Sequence, residues 1–293
     1  MELESRVTEI SAKGLGLAGI SYDSPEILAA FSKQRGISFP LLSDAGSATI
    51  KRYGILNPVP EWALGPEKDN PVVQAEVQRH VSVNRASPQQ VGMAFPGTFI
   101  LDRQGRVTSR YFEEFYAERN TFSSILMRLG GKAGTVAGTK ISSGQLDITT
   151  YPSDSAIAPG NRLSIALDVV PHPGMHVYAP GAQSYRVITL NIAPQPFLRL
   201  PAMKYPASQS YWFKPLNERV PVYQKPFTLV QEVILEGTPQ AQAALRGEES
   251  VTISGTLEYQ ACDDKICYNP TSLPLSWTLN LRPLVTERPL QPK

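Results

Sequence analysis

The sequence predicts two domains of different class, an α/β layer with a mixed sheet followed by an all-β sandwich of immunoglobulin type. The length of 293 residues is typical of two domains. Strand and helix patterns alternate up to residue 130, whereas later runs are short, alternate apolar with polar residues, and are broken by Pro and Gly. Residues 129–139 are rich in Gly and small side chains, as flexible linkers are. The predicted organisation is a first domain at 1–130, a linker at 131–142, a sandwich at 143–283 and a tail at 284–293.

Composition is that of an ordinary globular protein and argues against some classes of partner. The chain has 42% hydrophobic and 18% charged residues, with a formal net charge of +2. Because this charge is small and the Lys and Arg residues are dispersed, neither nucleic acid nor an anionic membrane surface is expected as a partner. No window reaches the roughly 18 apolar residues of a membrane span, and residues 1–6 lack the pattern of a signal peptide.

The first domain begins with an amphipathic helix over 1–13, in which Leu3, Val7 and Ile10 share one face and Gly14 follows as a C-cap. Residues 57–90 show no clear period and predict a loop with a short helix. The other expected elements are a strand at 15–20, a helix from Ser24-Pro25 to Gly36, a strand at 39–42, a helix at 47–53, a hairpin of 98–101 with 107–111, and a helix at 117–129.

The second domain contains at least six short strand patterns and no helical period. Strands of this kind, separated by turn residues, are typical of a sandwich. The predicted strands lie at 146–150, 162–169, 185–192, 227–235, 251–259 and 273–281.

Both cysteines of the chain lie close together, at Cys262 and Cys267. β-forming residues up to Tyr259, a polar tip at 263–265 and a strand-ending Asn-Pro at 269–270 predict a hairpin. A tip this short places the two cysteines on facing strands, near the Cα separation of roughly 5.5–6 Å that a disulfide requires. A disulfide is therefore feasible at this position.

The size of the closed loop bears on the role of such a bond. Closing about six residues stabilises a protein by only ~2 kcal/mol, against ~4.7 kcal/mol for about a hundred. A hairpin tip also exposes sulfur to an attacking thiolate. The spacing therefore favours a redox role and leaves a structural clip as the alternative. A zinc site is disfavoured because a closed site needs four N or S ligands, whereas two Cys and three His are far apart here. No metal or other cofactor is predicted.

Four segments of the first domain resemble the alkyl hydroperoxide reductase/thiol-specific antioxidant (AhpC/TSA, redoxin) family. They are 14–24 (GLGLAGISYDS), 39–44 (FPLLSD), 53–55 (YGI) and 95–102 (FPGTFILD). The resemblance spans about 1–130 and implies a thioredoxin-like fold. It also implies that Pro96, which precedes the Gly-Thr-Phe strand, follows a cis peptide bond and faces the redox cysteine.

The first domain departs from that family in one important respect. The family's first strands and its nucleophilic cysteine precede the helix at 1–13, and no cysteine occurs before Cys262. Without a thiolate at a helix N-terminus, this domain as given cannot act as a thiol peroxidase. Two explanations stay open: a redoxin domain that serves only as a scaffold, or a chain whose true start lies upstream, with the active cysteine or a selenocysteine there. The second is favoured because missing strands would leave an uncovered sheet edge.

Four segments of the second domain resemble the N-terminal domain of DsbD-type thiol:disulfide interchange proteins. They are 173–181 (PGMHVYAPG), 205–206 (YP), 222–223 (VY) and, above all, 259–270 (YQACDDKICYNP). The resemblance covers about 143–283. It implies an immunoglobulin-like, periplasmic domain that passes electrons from a membrane reductase to thioredoxin-like proteins.

The resemblance also assigns roles to individual residues. It implies that Cys262 and Cys267 are the exchanging pair. His176 and Tyr178 take the place of aromatic residues that flank this pair, and Glu218 is the acidic candidate in a cap loop at about 216–219. Tyr259 and Tyr268 flank the cysteines within the motif itself. The family's cap phenylalanine has no evident counterpart.

The expected function is thiol–disulfide exchange through Cys262 and Cys267, as a relay coupled to the redoxin domain. The expected partner is a thioredoxin-like protein or a membrane thiol reductase. A periplasmic or other extracytoplasmic location is expected because exchanging disulfides suit an oxidising compartment, with the cytoplasm as the alternative. Two other functions stay open: a peroxiredoxin-like peroxidase whose active Cys or selenocysteine is missing from this chain, and a non-catalytic binding module with a structural disulfide.

Overall fold

A computed structural model describes residues 2–81, 87–112, 118–130, 136–213 and 217–283. The chain divides into two compact units, the first running to Phe122 and the second beginning at Ser123. The first unit is mixed α/β and the second is rich in β-structure. The predicted tail at 284–293, residues 131–135 of the predicted linker and residue 216 of the predicted cap loop lie outside the described residues. Within the described ranges, no helix is both long enough and apolar enough to cross a membrane.

The first unit alternates helices and short strands, as the sequence predicts. Its elements are α1 (Glu2–Ser5), α2 (Val7–Ala12), β1 (Gly19–Ser21), α3 (Pro25–Arg35), β2 (Leu41–Ser43), α4 (Ala48–Arg52), α5 (Val59–Leu64), α6 (Pro71–Val81), a 3-10 turn (Pro88–Gln90), β3 (Gly97–Leu101), β4 (Val107–Phe112) and β5 (Arg119–Asn120).

The helix α3 shows how local sequence sets its limits. The Ser24 hydroxyl accepts a hydrogen bond from the backbone N–H of Ile27 at the first turn, and Pro25 occupies the first helical position. Gly36 ends the helix with φ of 62°, a left-handed conformation that glycine adopts without a steric penalty. Both predicted helix ends are therefore confirmed.

Three features of the first unit differ from expectation. The helix expected over 1–13 is interrupted at Arg6, whose guanidinium bonds Glu9 and lies 5.1 Å from the Phe122 ring centroid. The insertion at 57–90 contains the two helices α5 and α6 instead of one. The strands form two separate pairs, β1 with β2 in parallel and β3 with β4 as an antiparallel hairpin, where one mixed sheet was expected. The strands β1 and β2 have only three residues each, so their pairing is short.

The peptide bond before Pro96 also differs from what the resemblance implies. No described peptide bond is cis, so the Phe95–Pro96 bond is trans. Phe95 donates its backbone N–H to the Ile55 carbonyl over 2.7 Å, and the neighbouring Ala94 pairs with Leu56. These contacts hold the segment before Pro96 against residues 55–56. The trans form is also the favoured isomer of X–Pro bonds.

In its described residues, the second unit contains two helices and strands in three sheets. Its elements are α7 (Phe122–Arg128), β6 (Thr139–Ser142), β7 (Leu146–Pro152), β8 (Ala156–Ile157), β9 (Asn161–Pro171), β10 (His176–Tyr178), β11 (Thr189–Ile192), β12 (Leu198–Arg199), β13 (Gln209–Phe213), β14 (Glu218–Tyr223), β15 (Phe227–Leu235), α8 (Pro239–Ala244), β16 (Ser250–Tyr259), β17 (Ala261–Cys262) and β18 (Thr271–Leu281). The six predicted strands correspond to β7, β9, β11, β15, β16 and β18.

Two of these sheets enclose the main core. One has the strand order β12-β15-β9-β7-β6 and the other the order β11-β16-β18-β8. Ile165 of β9 and Ile253 of β16 are fully buried in one cluster that draws on both sheets. Trp277 of β18 donates its indole N–H to the Thr150 hydroxyl of β7, which links the two sheets through a buried hydrogen bond of 3.0 Å.

The third sheet, with the order β13-β14-β10-β17, holds both the predicted site and strands that the sequence did not reveal. β10 has three residues, all of them buried, so it shows no alternation of apolar and polar side chains. β14 carries Pro221 in its interior, a residue that ordinarily counts against a strand. The structure also assigns 139–142, at the end of the predicted linker, to β6, which pairs with β7.

Candidate functional site

The two cysteines form a disulfide that spans the base of a tight hairpin. Cys262 ends β17, and its Cα lies 4.1 Å from that of Cys267. This is closer than the sequence predicts. The two residues form an antiparallel bridge, and antiparallel pairs that exchange no backbone hydrogen bonds have Cα atoms about 4.5 Å apart. The predicted hairpin and the feasibility of the bond are confirmed.

Asp263 closes the tip of this hairpin. Its backbone N–H donates to the Ile266 carbonyl, and its carboxylate accepts from the N–H groups of Ile266 and Lys265 over 2.8 and 2.7 Å. These two bonds lower the pKa of the Asp263 carboxyl below its usual value, and the bond from Ile266 contributes most. The tip therefore carries a negative charge at neutral pH and is held by hydrogen bonds of its own.

The two sulfur-bearing residues differ strongly in exposure. Cys262 is 0% exposed and packs with Val220, Val222 and Tyr178 in a small buried cluster. Cys267 is an exposed residue on the outer arm of the hairpin. The half of the disulfide that another protein can reach is therefore Cys267.

Tyr178 of β10 contacts the disulfide from the sheet. Its hydroxyl lies 3.0 Å from Cys262 Sγ and 3.4 Å from Cys267 Sγ. Burial raises the pKa of the Tyr178 hydroxyl well above its ordinary value, and Tyr185 and Glu218 raise it further. The hydroxyl thus stays protonated at neutral pH and is able to donate a hydrogen bond to sulfur.

Tyr185 and Glu218 extend this contact away from the sulfurs. The ring of Tyr185 stacks on that of Tyr178 with centroids 4.0 Å apart. The Tyr185 hydroxyl donates to a carboxylate oxygen of Glu218, at the start of β14. Burial, and then this carboxylate, raise the pKa of Tyr185. A row of polar groups therefore runs from Glu218 through two tyrosines to the disulfide.

His176 lies directly opposite Cys262 in the ladder between β10 and β17. Its ring is fully buried, with the Tyr211 ring at 4.4 Å and the Tyr178 ring at 5.5 Å between centroids. Burial lowers the pKa of His176, and the negative charge of Asp263 opposes this effect. The imidazole is consequently neutral at pH 7.

The two remaining tyrosines of the motif have different positions. Tyr268 donates its hydroxyl to the Asp263 carboxylate and its backbone N–H to Ala261, so it belongs to the hairpin. Tyr259 instead lies in the main core, and its hydroxyl donates to Ser143 over 2.8 Å. Alternate residues of a strand face opposite sides, which sends Tyr259 and Ala261 to the core and Cys262 to the other face.

The structure thus gathers His176, Tyr178, Glu218 and Tyr268 around the cysteines and does not bring Tyr259 there. Three further residues, Tyr185, Tyr211 and Asp263, belong to the site without having been predicted for it. For Asp263 a signal was present, since Asp at the start of a tight turn often bonds the backbone two or three residues ahead. No local pattern pointed to Tyr185 or Tyr211.

Comparison with known proteins agrees with the two resemblances. Residues 1–110 match the AhpC/TSA family, and residues 149–274 match the family described as thiol:disulfide interchange protein DsbD, N-terminal. Among solved structures, the chain is similar to the N-terminal periplasmic domain of ScsB from Proteus mirabilis, with 13% sequence identity and a TM-score of 0.33. This similarity covers 50% of the present chain and 51% of the ScsB chain, about half of each. No curated protein matches the sequence.

The cysteine motif lies within the residues that match the DsbD family, and the residues that match the AhpC/TSA family contain no cysteine. Residues 1–110 are therefore similar to the AhpC/TSA family, and residues 149–274, which include Cys262 and Cys267, are similar to the N-terminal part of DsbD.

Proposed function

We propose that the protein performs thiol–disulfide exchange through Cys262 and Cys267 with a thioredoxin-like protein or a membrane thiol reductase. The observation that carries this proposal is the asymmetry of the bond. Cys267 is exposed, whereas Cys262 is fully buried beneath a tyrosine hydroxyl. Exchange with a second protein depends on access to the disulfide, and the exposed residue Cys267 is the side from which a partner can approach.

The exchange proceeds in two displacements. A partner thiolate attacks Cys267 Sγ and forms a mixed disulfide, while the bond between the two cysteines breaks and its electron pair stays on Cys262 as a thiolate. The Tyr178 hydroxyl, 3.0 Å from that sulfur, donates a hydrogen bond to it. A second partner thiolate then attacks the mixed disulfide at the partner's own sulfur, which releases Cys267. The partner leaves as a disulfide, and two electrons remain on the pair.

The hairpin contacts argue against a purely structural clip. Asp263 bonds Ile266 and Lys265, and Tyr268 bonds Ala261, without any help from the disulfide. The covalent link adds only ~2 kcal/mol for a loop of about six residues. A bond that contributes so little to a hairpin already held by hydrogen bonds is more useful as a reactive group.

The proposal extends to the whole chain. We assign a thioredoxin-like fold to residues 1–130 and an immunoglobulin-like sandwich to 143–283, together with the strand β6 that pairs with β7. Because both parts belong to one chain, electron delivery between them would be intramolecular, at up to about millimolar effective concentration, which suits a relay coupled to a redoxin domain. An extracytoplasmic location is supported by the disulfide and by the DsbD match.

Trapping of a mixed disulfide tests the exchange itself. The oxidised protein is mixed with a reduced thioredoxin whose resolving cysteine is replaced by serine, so that the reaction stops after the first displacement. We expect a covalent adduct on non-reducing gels, with peptide mass spectrometry locating the bond at Cys267 because that residue is the exposed one. An adduct at Cys262, or no adduct with a correctly folded protein, would contradict the proposal.

Replacing Tyr178 by phenylalanine should make the reduction potential of the pair more negative. The hydroxyl bonds a thiolate more strongly than a disulfide, so removing it destabilises the reduced form. A hydrogen bond to a charged group is worth about 1.5–3 kcal/mol, and ~1.4 kcal/mol corresponds to ~30 mV, so a decrease of roughly 30–60 mV is expected. Equilibration in dithiothreitol buffers measures it.

Tyr223→Phe provides the matched control for this measurement. The Tyr223 hydroxyl donates to the Pro206 carbonyl from the same sheet and is not bonded to either sulfur. Its removal should leave the potential unchanged. A Tyr178→Phe protein with an unchanged or higher potential would show that the hydroxyl does not favour the reduced form.

A further inference from the structure

His176 is a buried polar side chain that the two displacements do not use. It is 0% exposed, and neither ring nitrogen has a hydrogen-bond partner among the described residues. Buried polar atoms in proteins are nearly always paired, so an unpaired imidazole in a small buried cluster calls for a physical explanation. Its position, directly across the ladder from Cys262, indicates one.

The groups around the ring limit what it can do. Tyr178 lies on its own strand, Tyr211 approaches from β13, and Cys262 and Asp263 face it from β17 and the hairpin tip. Residues directly opposite each other in a ladder have Cβ atoms about 4.5–5.5 Å apart, on the same face of the sheet. Reduction of the disulfide turns the Cys262 sulfur into a thiol, which is an ionisable group on the residue directly opposite His176.

The charge state of the ring suits the acceptance of that proton. Burial lowers the pKa of His176, so the imidazole is neutral while the disulfide is intact and has one nitrogen lone pair available. The Asp263 carboxylate has the opposite effect to burial: it raises the pKa of the ring, and it would be the counter-charge to an imidazolium. Burial also raises the pKa of Tyr178, which therefore keeps its proton and acts only as a donor.

We propose that His176 is the base that removes the proton from the Cys262 thiol in the reduced protein. This inference rests on the proposed exchange function and adds a catalytic residue to it. When Cys267 holds a partner in a mixed disulfide, the S–H bond of Cys262 breaks and its proton moves to the imidazole nitrogen. The Cys262 thiolate then attacks Cys267 Sγ, the bond between the two cysteines forms again, and the partner leaves as a thiolate.

Histidine titration by NMR tests this coupling in the unmodified protein. The ring signals are followed against pH in the oxidised protein and after reduction with a phosphine, and His176→Gln serves to assign them. A thiolate formed beside the ring should move the titration midpoint of His176 upward by about one pH unit or more on reduction. A midpoint that is the same in both redox states would overturn the proposal.

Kinetics supply a readout that a purely structural histidine would not change. Reduced protein is mixed with oxidised glutathione, and closure of the internal disulfide is followed from pH 5 to 9. His176→Gln should slow closure at neutral pH by about a hundredfold, with the deficit shrinking at high pH, where the thiol ionises unaided. His172→Gln is the matched control, because that ring bonds Gly144 and Asp147 outside the site, and it should behave as the parent does. A His176→Gln deficit that is equal at all pH values would overturn the proposal.

These results separate the inference from the function on which it rests. Phosphine and glutathione act on the cysteine pair without any protein partner. Failure to trap a mixed disulfide with thioredoxin, together with a redox-linked His176 titration, would reject the proposed partner class and keep the base. A trapped adduct with an unlinked His176 would reject the base alone.

Discussion

Replacing Cys267 by serine is expected to abolish thiol–disulfide exchange completely while leaving the second unit folded. Cys267, the exposed cysteine, is the proposed point of attack, and the chain has no third cysteine to substitute for it. Loss of the short loop closure should lower the free energy of unfolding by only ~2 kcal/mol. Oxidation of reduced thioredoxin, followed by alkylation of free thiols and mass spectrometry, measures exchange. Cys262→Ser should give the same loss of exchange.

Stability is best measured in a background that isolates the second unit. Trp62 is one of three tryptophans and lies in α5 of the first unit. With Trp62→Phe in every sample, fluorescence reports only Trp212 and Trp277, both in the second unit. A Cys267→Ser protein that unfolds easily yet still oxidises thioredoxin would identify the disulfide as a structural clip and reject the exchange function.

Ile165→Ala should have the opposite effect, a large loss of stability with unchanged exchange. Ile165 is fully buried at the centre of β9, in the core that lies between two sheets. Removing three carbons there leaves a cavity, and such substitutions cost about 2–5 kcal/mol. The disulfide belongs to a separate cluster on the third sheet, so molecules that remain folded should exchange at the parental rate. Urea unfolding and the thioredoxin assay measure the two effects.

Val170→Ala on the same strand is the control for Ile165→Ala. Val170 is 42% exposed, and substitutions at such positions usually change stability by no more than about 0.5 kcal/mol. If Ile165→Ala slowed exchange under conditions in which the protein is fully folded, the site would depend on the main core, contrary to its placement in a separate cluster.

The parts of the fold that could be predicted are those with strong local signals. The helix α3 carries its own N-cap at Ser24 and its own C-cap at Gly36, and in the long strand β18 of the main core more buried residues alternate with more exposed ones. The two middle strands of the third sheet, β14 and β10, lack such signals. The strand β10 is three residues long and entirely buried, and β14 contains a proline. Strands of this kind are defined by their neighbours, which a single sequence does not show.

The site residues that could be predicted are likewise those with a local sequence signal. The cysteine motif pointed to Cys262, Cys267 and Tyr268, which lie within a few residues of one another. Tyr185 and Tyr211 pack against the cluster of Cys262 only because β10, β13 and the loop that follows β10 belong to one region of the fold. Tyr259 shows the reverse case, in which closeness in sequence is misleading because alternate residues of a strand face opposite sides.

The hydrogen-bonded turn at Asp263 should limit the backbone movement that accompanies each redox cycle. Because hydrogen bonds from Ile266 and Lys265 hold the hairpin, breaking the sulfur–sulfur bond would not release the loop. The two thiols would stay within reach of each other, at the high effective molarity of a fixed geometry. Little reorganisation of the backbone would then accompany electron uptake or release, and the speed of turnover would be set by encounters with the partner.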